Sequence, residues 1–177
     1  MKLRYIILFV CINLVCKFSF AQSIVVVNIQ FLIDNNQNYL DILEEIELSQ
    51  KDYLDEFKDK EIELNKILND MEESKLILNE NEVNLQIENY NNQLTNFTIL
   101  VDEFNLHYQT QITKIRERVF KEIVQLLEKY AIENKIDLIL DATSYLIASN
   151  SIDITENINN DLKKINLELE YNDFKKN

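Results

Sequence analysis

The chain of 177 residues has the length of one domain and is strongly acidic, with 31 Asp and Glu against 18 Lys and Arg and a formal net charge of −13. This charge argues against nucleic acid as a partner. The chain contains no Gly and no Pro, the residues that most readily break helices or form positive-φ turns. Long helices are therefore favoured, and asparagine is expected to form the turns.

The first 21 residues have the pattern of a secretory signal peptide. Lys2 and Arg4 precede an apolar run from Tyr5 to Cys16, and a small-x-small motif ends at Ala21. The apolar run is shorter than the roughly 20 residues that span a bilayer. We predict export with cleavage after Ala21, and a lipid anchor at Cys16 is the less favoured alternative.

Cleavage would leave a mature chain without thiols, because Cys11 and Cys16 both lie in the predicted signal peptide. An exported domain without disulfides must be held together by packing or by oligomerisation. Cleavage would also remove three of the 18 cations, which leaves 15 against 31 acidic residues and a net charge of −16.

The mature chain is predicted to begin with a buried strand and then to become helical. Residues 23–29 form a β-branched apolar run without alternation, which is typical of a strand that is covered on both faces. A short helical turn is expected over Phe31 to Asp34, and a long helix is expected from about Asn38.

Apolar residues then recur at coiled-coil spacing in two stretches, 38–78 and 83–134, on either side of the polar segment 79–82. This pattern predicts an antiparallel helical hairpin with its tip near residues 79–82 and arms of about 60 and 78 Å. The predicted seam consists of Leu43, Ile46, Leu54, Phe57, Leu64, Leu68, Met71 and Leu78, followed by Val83, Ile87, Tyr90, Leu94, Phe97, Val101, Phe104, Tyr108, Ile112, Ile115, Val119, Ile123, Leu126 and Tyr130.

Two strand-like runs follow the hairpin, Asp137–Asp141 and Tyr145–Ser149, and we predict that they pair as a β-hairpin. Asp153 and Glu156 have the spacing of a capping box, which would start a final helix. That helix would place Ile154, Ile158, Leu162, Ile165 and Leu169 on one face. The charged tail Tyr171–Asn177 is expected to fray.

These elements predict an α+β fold, mostly α, in which the helical hairpin projects from a small β-rich oligomerisation body made of residues 22–37 and 135–170. The N-terminal strand and the two C-terminal strands are expected to pair with each other. Three short strands with open edges are too small a sheet to be stable alone, so pairing between subunits is expected as well. The candidate residues of the oligomerisation body are Val25, Val26, Val27, Leu138, Ile139, Leu140, Tyr145 and Ile147.

No residue pattern predicts an enzyme, a metal site or a bound cofactor. His107 is the single histidine, and it is assigned to an ordinary helical position because no partner for metal binding or proton transfer accompanies it. Adjacent carboxylates such as Glu44 and Glu45 are interpreted as solvated helix faces.

The sequence resembles the Skp/OmpH-type periplasmic chaperones. The resemblance is carried by Ile24 to Asn28, by Ile136 to Asp141, by Tyr145, and by Asp153 to Thr155 at the start of the last helix. It implies a homotrimer with a small β-rich body and three helical tentacles. The tentacles would hold unfolded outer-membrane β-barrel proteins soluble in the periplasm, without ATP.

The charge of the arms departs from the best-known members, whose basic tips suit anionic membranes or lipopolysaccharide. Residues 38–134 contain 22 Asp and Glu against 10 Lys and Arg, a net charge of −12. We therefore expect the chaperone cavity of that family in this chain, and we do not expect its membrane or lipopolysaccharide contact.

The segment 84–101 contains one charged residue within a highly charged arm and is the candidate cavity wall. Its candidate client contacts are Tyr90, Phe97, Ile99 and Leu100. Tyr90 and Phe97 also fit the hairpin seam, whereas Ile99 and Leu100 lie off it. The alternative function is that of a structural or adaptor coiled-coil protein of the cell envelope, which docks a folded partner through its hairpin tips.

Overall fold

The computed structural model describes residues 23–75 and 77–176. The predicted signal peptide with its two cysteines lies outside the described residues. The elements are β1 (Ile24–Val27), α1 (Ile29–Asp34), α2 (Gln37–Ser74), α3 (Glu80–Asn134), β2 (Leu138–Asp141) and α4 (Thr155–Leu162), with short 3₁₀ turns at Ala142–Ser144 and Asn150–Ile152. No helix among the described residues is both long and apolar enough to cross a membrane.

The predicted fold class is confirmed: a long antiparallel hairpin of α2 and α3 is joined to a small β-containing body. The 38 residues of α2 and the 55 residues of α3 correspond to lengths of about 57 and 82 Å. Helix α2 ends at Ser74 and α3 begins at Glu80, so the predicted tip at 79–82 is displaced toward α3. Residues 80–82 form the first turn of α3 instead.

Asparagine side chains start α1, α2 and α3. Asn28, Asn36 and Asn79 each accept a hydrogen bond from the backbone N–H three residues later, at 2.9, 3.0 and 3.1 Å. At α3 the Glu82 carboxylate also accepts from the backbone N–H of Asn79 at 3.1 Å, which completes a capping box. This capping explains why α3 begins earlier than predicted.

The seam between the arms is close to the predicted one, with a different set of residues in α2. Leu54 and Leu68 are 51% and 37% exposed, whereas Tyr53 packs against the core. The buried residues of α2 are Tyr39, Ile42, Ile46, Phe57, Leu64 and Met71, and those of α3 are Phe104, Tyr108, Ile115, Val119, Ile123 and Leu127. Toward the tip, the predicted seam residues Ile87 and Leu94 are 37% and 39% exposed. On α3, burial therefore decreases toward the tip, whereas Leu64 and Met71 of α2 remain only 4% and 8% exposed there.

The sheet has a different topology from the predicted β-hairpin. β1 pairs with β2 in parallel, with Ile24 opposite Leu138 and Val27 opposite Asp141. The other edge of β1 is partly covered, because the backbone N–H of Ile154 donates to the carbonyl of Val26 at 2.9 Å. Residues 145–149 do not form a strand, since the 3₁₀ turn after β2 carries the chain away from the sheet.

The last helix is shorter than predicted and lacks the expected capping box. Asp153 is paired with Val26 in an isolated parallel bridge, which leaves Ile154 as the N-cap of α4 without a side-chain cap. The Asp153 carboxylate accepts from the backbone N–H of Thr155 at 2.8 Å. The helix ends at Leu162, before Ile165 and Leu169.

The C-terminal tail does not fray as predicted. Residues 163–176 have neither helix nor strand beyond the first turn, yet Leu167 and Phe174 are only 5% and 8% exposed and belong to the main core. We call residues 165–176 the strap. The strap packs against the hairpin because its apolar side chains belong to the same core as those of α2 and α3. The predicted end of the body at residue 170 therefore falls inside this packed segment.

Asp141 links β2 to the start of α1. One carboxylate oxygen accepts from the backbone N–H of Ile29 at 3.1 Å, and the other accepts from the hydroxyl and the backbone N–H of Thr143. Partial burial of the carboxyl acts to raise its pKa, but these hydrogen bonds outweigh it and the pKa of Asp141 is lowered from 3.8.

The C-terminal end of α3 requires a left-handed residue. Lys135 has φ 55° and ψ 47° and allows the N–H of Ile136 to reach the carbonyl of Ala131 at 2.9 Å. It is the one positive-φ residue in the described part of the chain, so the expectation that asparagine would form such turns is wrong.

Replacing Lys135 with glycine is expected to stabilise the fold by about 0.5–1 kcal/mol. The left-handed conformation costs a residue with a Cβ about 1–2 kcal/mol, which exceeds the entropy cost of glycine. Urea unfolding would measure the change. Glu133→Gly, inside the last turn of α3, is the control and should destabilise by up to about 1 kcal/mol. A destabilising Lys135→Gly would contradict the assignment of this cap.

Asp141 should make the fold sensitive to acid. A carboxyl whose pKa is lower in the folded chain stabilises the fold above its unfolded pKa, and this contribution is lost as the pH falls through the folded-state pKa. The difference in melting temperature between the natural chain and Asp141→Asn should therefore be constant above about pH 5 and should shrink below pH 3.8. Thermal unfolding between pH 3 and 7 would test this, with Asp52→Asn as the control. A difference that grows on acidification would contradict it.

Candidate functional site

An open groove of about 810 Å³ lies between α2 and α3 in the middle of the hairpin. Its apolar residues are Phe57, Phe97, Ile99 and Leu100, and its polar and charged residues are Glu56, Asp59, Lys60, Glu63, Gln93, Asn96, Glu103 and Lys176. The groove therefore combines an apolar floor with a charged rim.

Phe57 and Phe97 form the floor of the groove. Phe57 is 7% exposed, and its ring lies edge-to-face against Phe97 at 5.9 Å and against Phe104 at 5.1 Å between ring centroids. Such pairs contribute roughly 0.5–1.5 kcal/mol each beyond their burial. The floor is therefore a fixed apolar surface within an otherwise charged arm.

Three of the four predicted client-contact residues lie together in this groove. Phe97 and Leu100 are half-buried against the core, and Ile99 is 51% exposed on the wall. Tyr90 is half-buried and is not among the residues that line the groove.

Sequence reasoning missed the contribution of α2 to the groove. Phe57 was assigned to the seam, and the neighbouring Glu56, Lys60 and Glu63 were not singled out. Periodicity shows which residues of each arm face inward. It does not give the register between the arms, which places Phe57 opposite Phe97.

The rim of the groove is acidic. Four carboxylates line it against two ammonium groups, and both cations are paired: Lys60 Nζ lies 2.8 Å from Glu63, and Lys176 Nζ lies 2.8 Å from Glu56. These exposed ion pairs contribute little stability. The groove is thus suited to apolar or basic segments and unsuited to anionic surfaces.

The residues predicted for the oligomerisation body fall into two groups. Val25, Val26 and Val27 are 9%, 2% and 1% exposed and pack inside their own protomer. Ile139, Leu140 and Tyr145 are half-buried, whereas Leu138 and Ile147 are 46% and 92% exposed.

Sequence reasoning did not select Leu146 for the oligomerisation body. A strand over residues 145–149 would place Tyr145 and Ile147 on one face and Leu146 on the other. Leu146 is fully exposed beside Ile147. We call Leu138, Leu146 and Ile147 the base surface.

His107 contacts the C-terminal strap. Its Nε2 lies 2.6 Å from the carbonyl oxygen of Asn172, in the strap. Among the described residues, no group of His, Cys, Asp and Glu side chains could hold a metal ion.

Comparisons with known proteins identify a family from the sequence and a similar fold from a solved structure. A family model described as an outer membrane protein (OmpH-like) matches residues 23–162. A solved structure of an OmpH-like outer membrane chaperone from Caulobacter crescentus CB15 has a TM-score of 0.63 and 12% identity, and the match covers 86% of this chain and 92% of that chain. At 12% sequence identity, this structural similarity shows a common fold only. No curated protein matches the chain significantly.

Proposed function

Because the chain belongs to the family of OmpH-like outer membrane proteins, as the sequence resemblance predicted, we propose that it is an ATP-independent periplasmic holdase chaperone. It keeps unfolded outer-membrane β-barrel proteins soluble in a cavity between the helical arms of a homotrimer. The observation that carries this proposal is the open, aromatic-floored groove on a long projecting hairpin. The solved relative of similar fold, which bears the name of an OmpH-like outer membrane chaperone, supports the same role.

The groove suits weak and reversible binding of unfolded chains. Burying one large apolar side chain is worth about 1.5–3 kcal/mol, and the groove offers only a few apolar side chains to a client. Several such contacts on several arms add up through effective concentration, while each one alone is easily broken. Clients can then be retained and released without nucleotide hydrolysis.

The base surface is the proposed contact between subunits. Leu146 and Ile147 are adjacent in sequence and almost entirely exposed, and within residues 23–75 and 77–176 β2 pairs with β1 alone. Burial of these side chains and pairing of the open edge would both favour association. Arms that project from a common base would enclose the cavity that the proposed function requires.

The acidic arms set a limit on the partners. Anionic membranes and lipopolysaccharide would be repelled by the rim carboxylates, so the proposed partners are unfolded outer-membrane proteins and further copies of this chain. The predicted signal peptide supports the proposal that the mature chain, from residue 22, acts in the periplasm.

The mature chain is expected to suppress the aggregation of an outer-membrane β-barrel protein that is diluted from urea. The measurement is light scattering at about three chains per client. Unchanged aggregation in the presence of a folded chain would overturn the holdase function. It would favour an envelope adaptor that docks a folded partner through its hairpin tips.

The same assay tests the groove. Ile99→Asn with Leu100→Asn should weaken client binding about tenfold, which corresponds to about 1.4 kcal/mol, because two apolar contacts become polar. Leu106→Asn with Ile132→Asn is the matched control, since both residues are exposed on α3 and do not line the groove. Equal client binding by the two variants would exclude the groove as the client site.

The base surface is tested by the mass of the assembly in solution. Leu146→Asp with Ile147→Asp should convert a trimer into monomers without unfolding, because both side chains are exposed in the protomer. Light scattering after size exclusion would measure the mass, with the equally exposed Ile77→Asp as the control. A trimer that survives both Asp substitutions would show that the subunits meet elsewhere.

A further inference from the structure

The strap runs along α2 from the N-terminal end of this helix toward the groove. Along the strap, Asn166 contacts Asn38, the Tyr171 hydroxyl donates to the Glu45 carbonyl at 3.3 Å, and Lys176 pairs with Glu56 at 2.8 Å. The ten residue steps from Asn166 to Lys176 thus follow eighteen residue steps of α2, or about 27 Å of helix. This is about 2.7 Å per step, nearer to the roughly 3.3–3.6 Å of a fully extended chain than to the roughly 1.5 Å of a helix.

The strap alternates between buried or partly buried and exposed residues from 165 to 171, and two exposed residues then precede the buried Phe174. Between 165 and 171, Leu167 is buried and the other odd-numbered residues are partly buried, whereas Asn166, Glu168 and Glu170 are exposed. A period of two is typical of an extended segment with one apolar face. The hairpin therefore already holds an amphipathic extended chain.

Phe174 anchors the strap near its end. Its ring lies 5.4 Å from the rings of both Tyr53 and Phe104 in edge-to-face geometry. Side chains of the hairpin also satisfy its backbone, because the Tyr53 hydroxyl donates to the carbonyl at 3.1 Å and the N–H donates to the Tyr108 hydroxyl at 3.4 Å. The hairpin thus recognises an aromatic residue together with its extended main chain.

The groove continues where the strap stops. Lys176 and Glu56 lie at its edge, and the floor begins with Phe57, whose ring also contacts Phe104 beneath Phe174. A longer extended chain on the same path would run from the strap position directly into the open groove. The family match ends at residue 162, so the strap lies beyond the residues that the family model matches.

From this geometry we propose that the path along α2 from Asn38 to Glu63 binds extended segments with alternating apolar side chains and an aromatic anchor. The strap occupies it as a displaceable self-ligand. Transmembrane β-strands alternate in the same way, so the inference rests on the proposed function and specifies the kind of client segment that binds. A client must displace the strap before its own segment can use the whole path.

Tethering gives the strap a measurable advantage over a free ligand. A short linker holds it at an effective concentration on the order of 1 mM. A free peptide of residues 164–177 should therefore bind the natural chain no more tightly than about 1 mM. Phe174→Ala weakens the strap and should bind the same peptide at least tenfold more tightly.

Fluorescence anisotropy of the labelled peptide would measure both affinities. Phe120→Ala, at a 44% exposed position of α3, is the control and should bind the peptide as the natural chain does. A peptide with its apolar and polar residues reordered to remove the alternation should bind Phe174→Ala at least tenfold more weakly. Equal affinity of Phe174→Ala and the natural chain, or equal binding of the reordered peptide, would overturn the proposal.

A second measurement needs no substitution. In the natural chain, NMR signals of Phe174 should move toward random-coil positions as unlabelled peptide is added at several millimolar, and unchanged signals would overturn the proposal. These peptide experiments contain no client protein. Their failure would reject the self-ligand alone, whereas failure of the aggregation assay would reject the holdase function.

Discussion

The parallel pairing of β1 with β2 is the constraint on which the rest of the structure depends. Two parallel strands cannot be joined by a tight turn and need a crossover, and here the crossover contains α1 and the whole hairpin, from Asn28 to Asp137. Closing so long a connection costs little more entropy than closing a short one. Because both ends of the hairpin are fixed at the sheet, α2 and α3 leave the body side by side.

The sequence predicted the large features of the fold because they depend on repeated signals. The seam of α3 from Phe97 to Ile123 shows apolar residues at every third or fourth position, and many residues support the same interpretation. At the end of the chain, each prediction rests on a single residue and not on a repeated pattern. The expected pairing of the N-terminal strand with the C-terminal strands is confirmed by β1 and β2. The β-hairpin between residues 137–141 and 145–149 was wrong, because residues 145–149 have the apolar pattern of a strand although the chain turns away from the sheet before them.

The sequence predicted the groove residues of α3 but not those of α2. Ile99 and Leu100 stood out because they are apolar and lie off the seam. Their neighbours on α2 depend on the register between the arms, and the strap depends on one aromatic residue, Phe174, in a charged tail. Charge suggested solvent exposure for that tail. The aromatic side chains of Tyr53, Phe104 and Tyr108 form a binding site that no local pattern in residues 171–177 reveals.

The decrease in burial toward the tip gives the arm a gradient of stiffness. Near the body, Ile123 and Val119 are fully buried, and bending there would break close packing. Beyond Phe97, the side chains of Leu94 and Ile87 on α3 are partly exposed, and the buried apolar side chains of α2 there are Leu64 and Met71. Separating the two helices there exposes less apolar surface than it would near the body. An arm of this kind is rigid at its root and compliant at its end. The space enclosed by several such arms would adjust to the bulk of its contents and would have no single fixed volume.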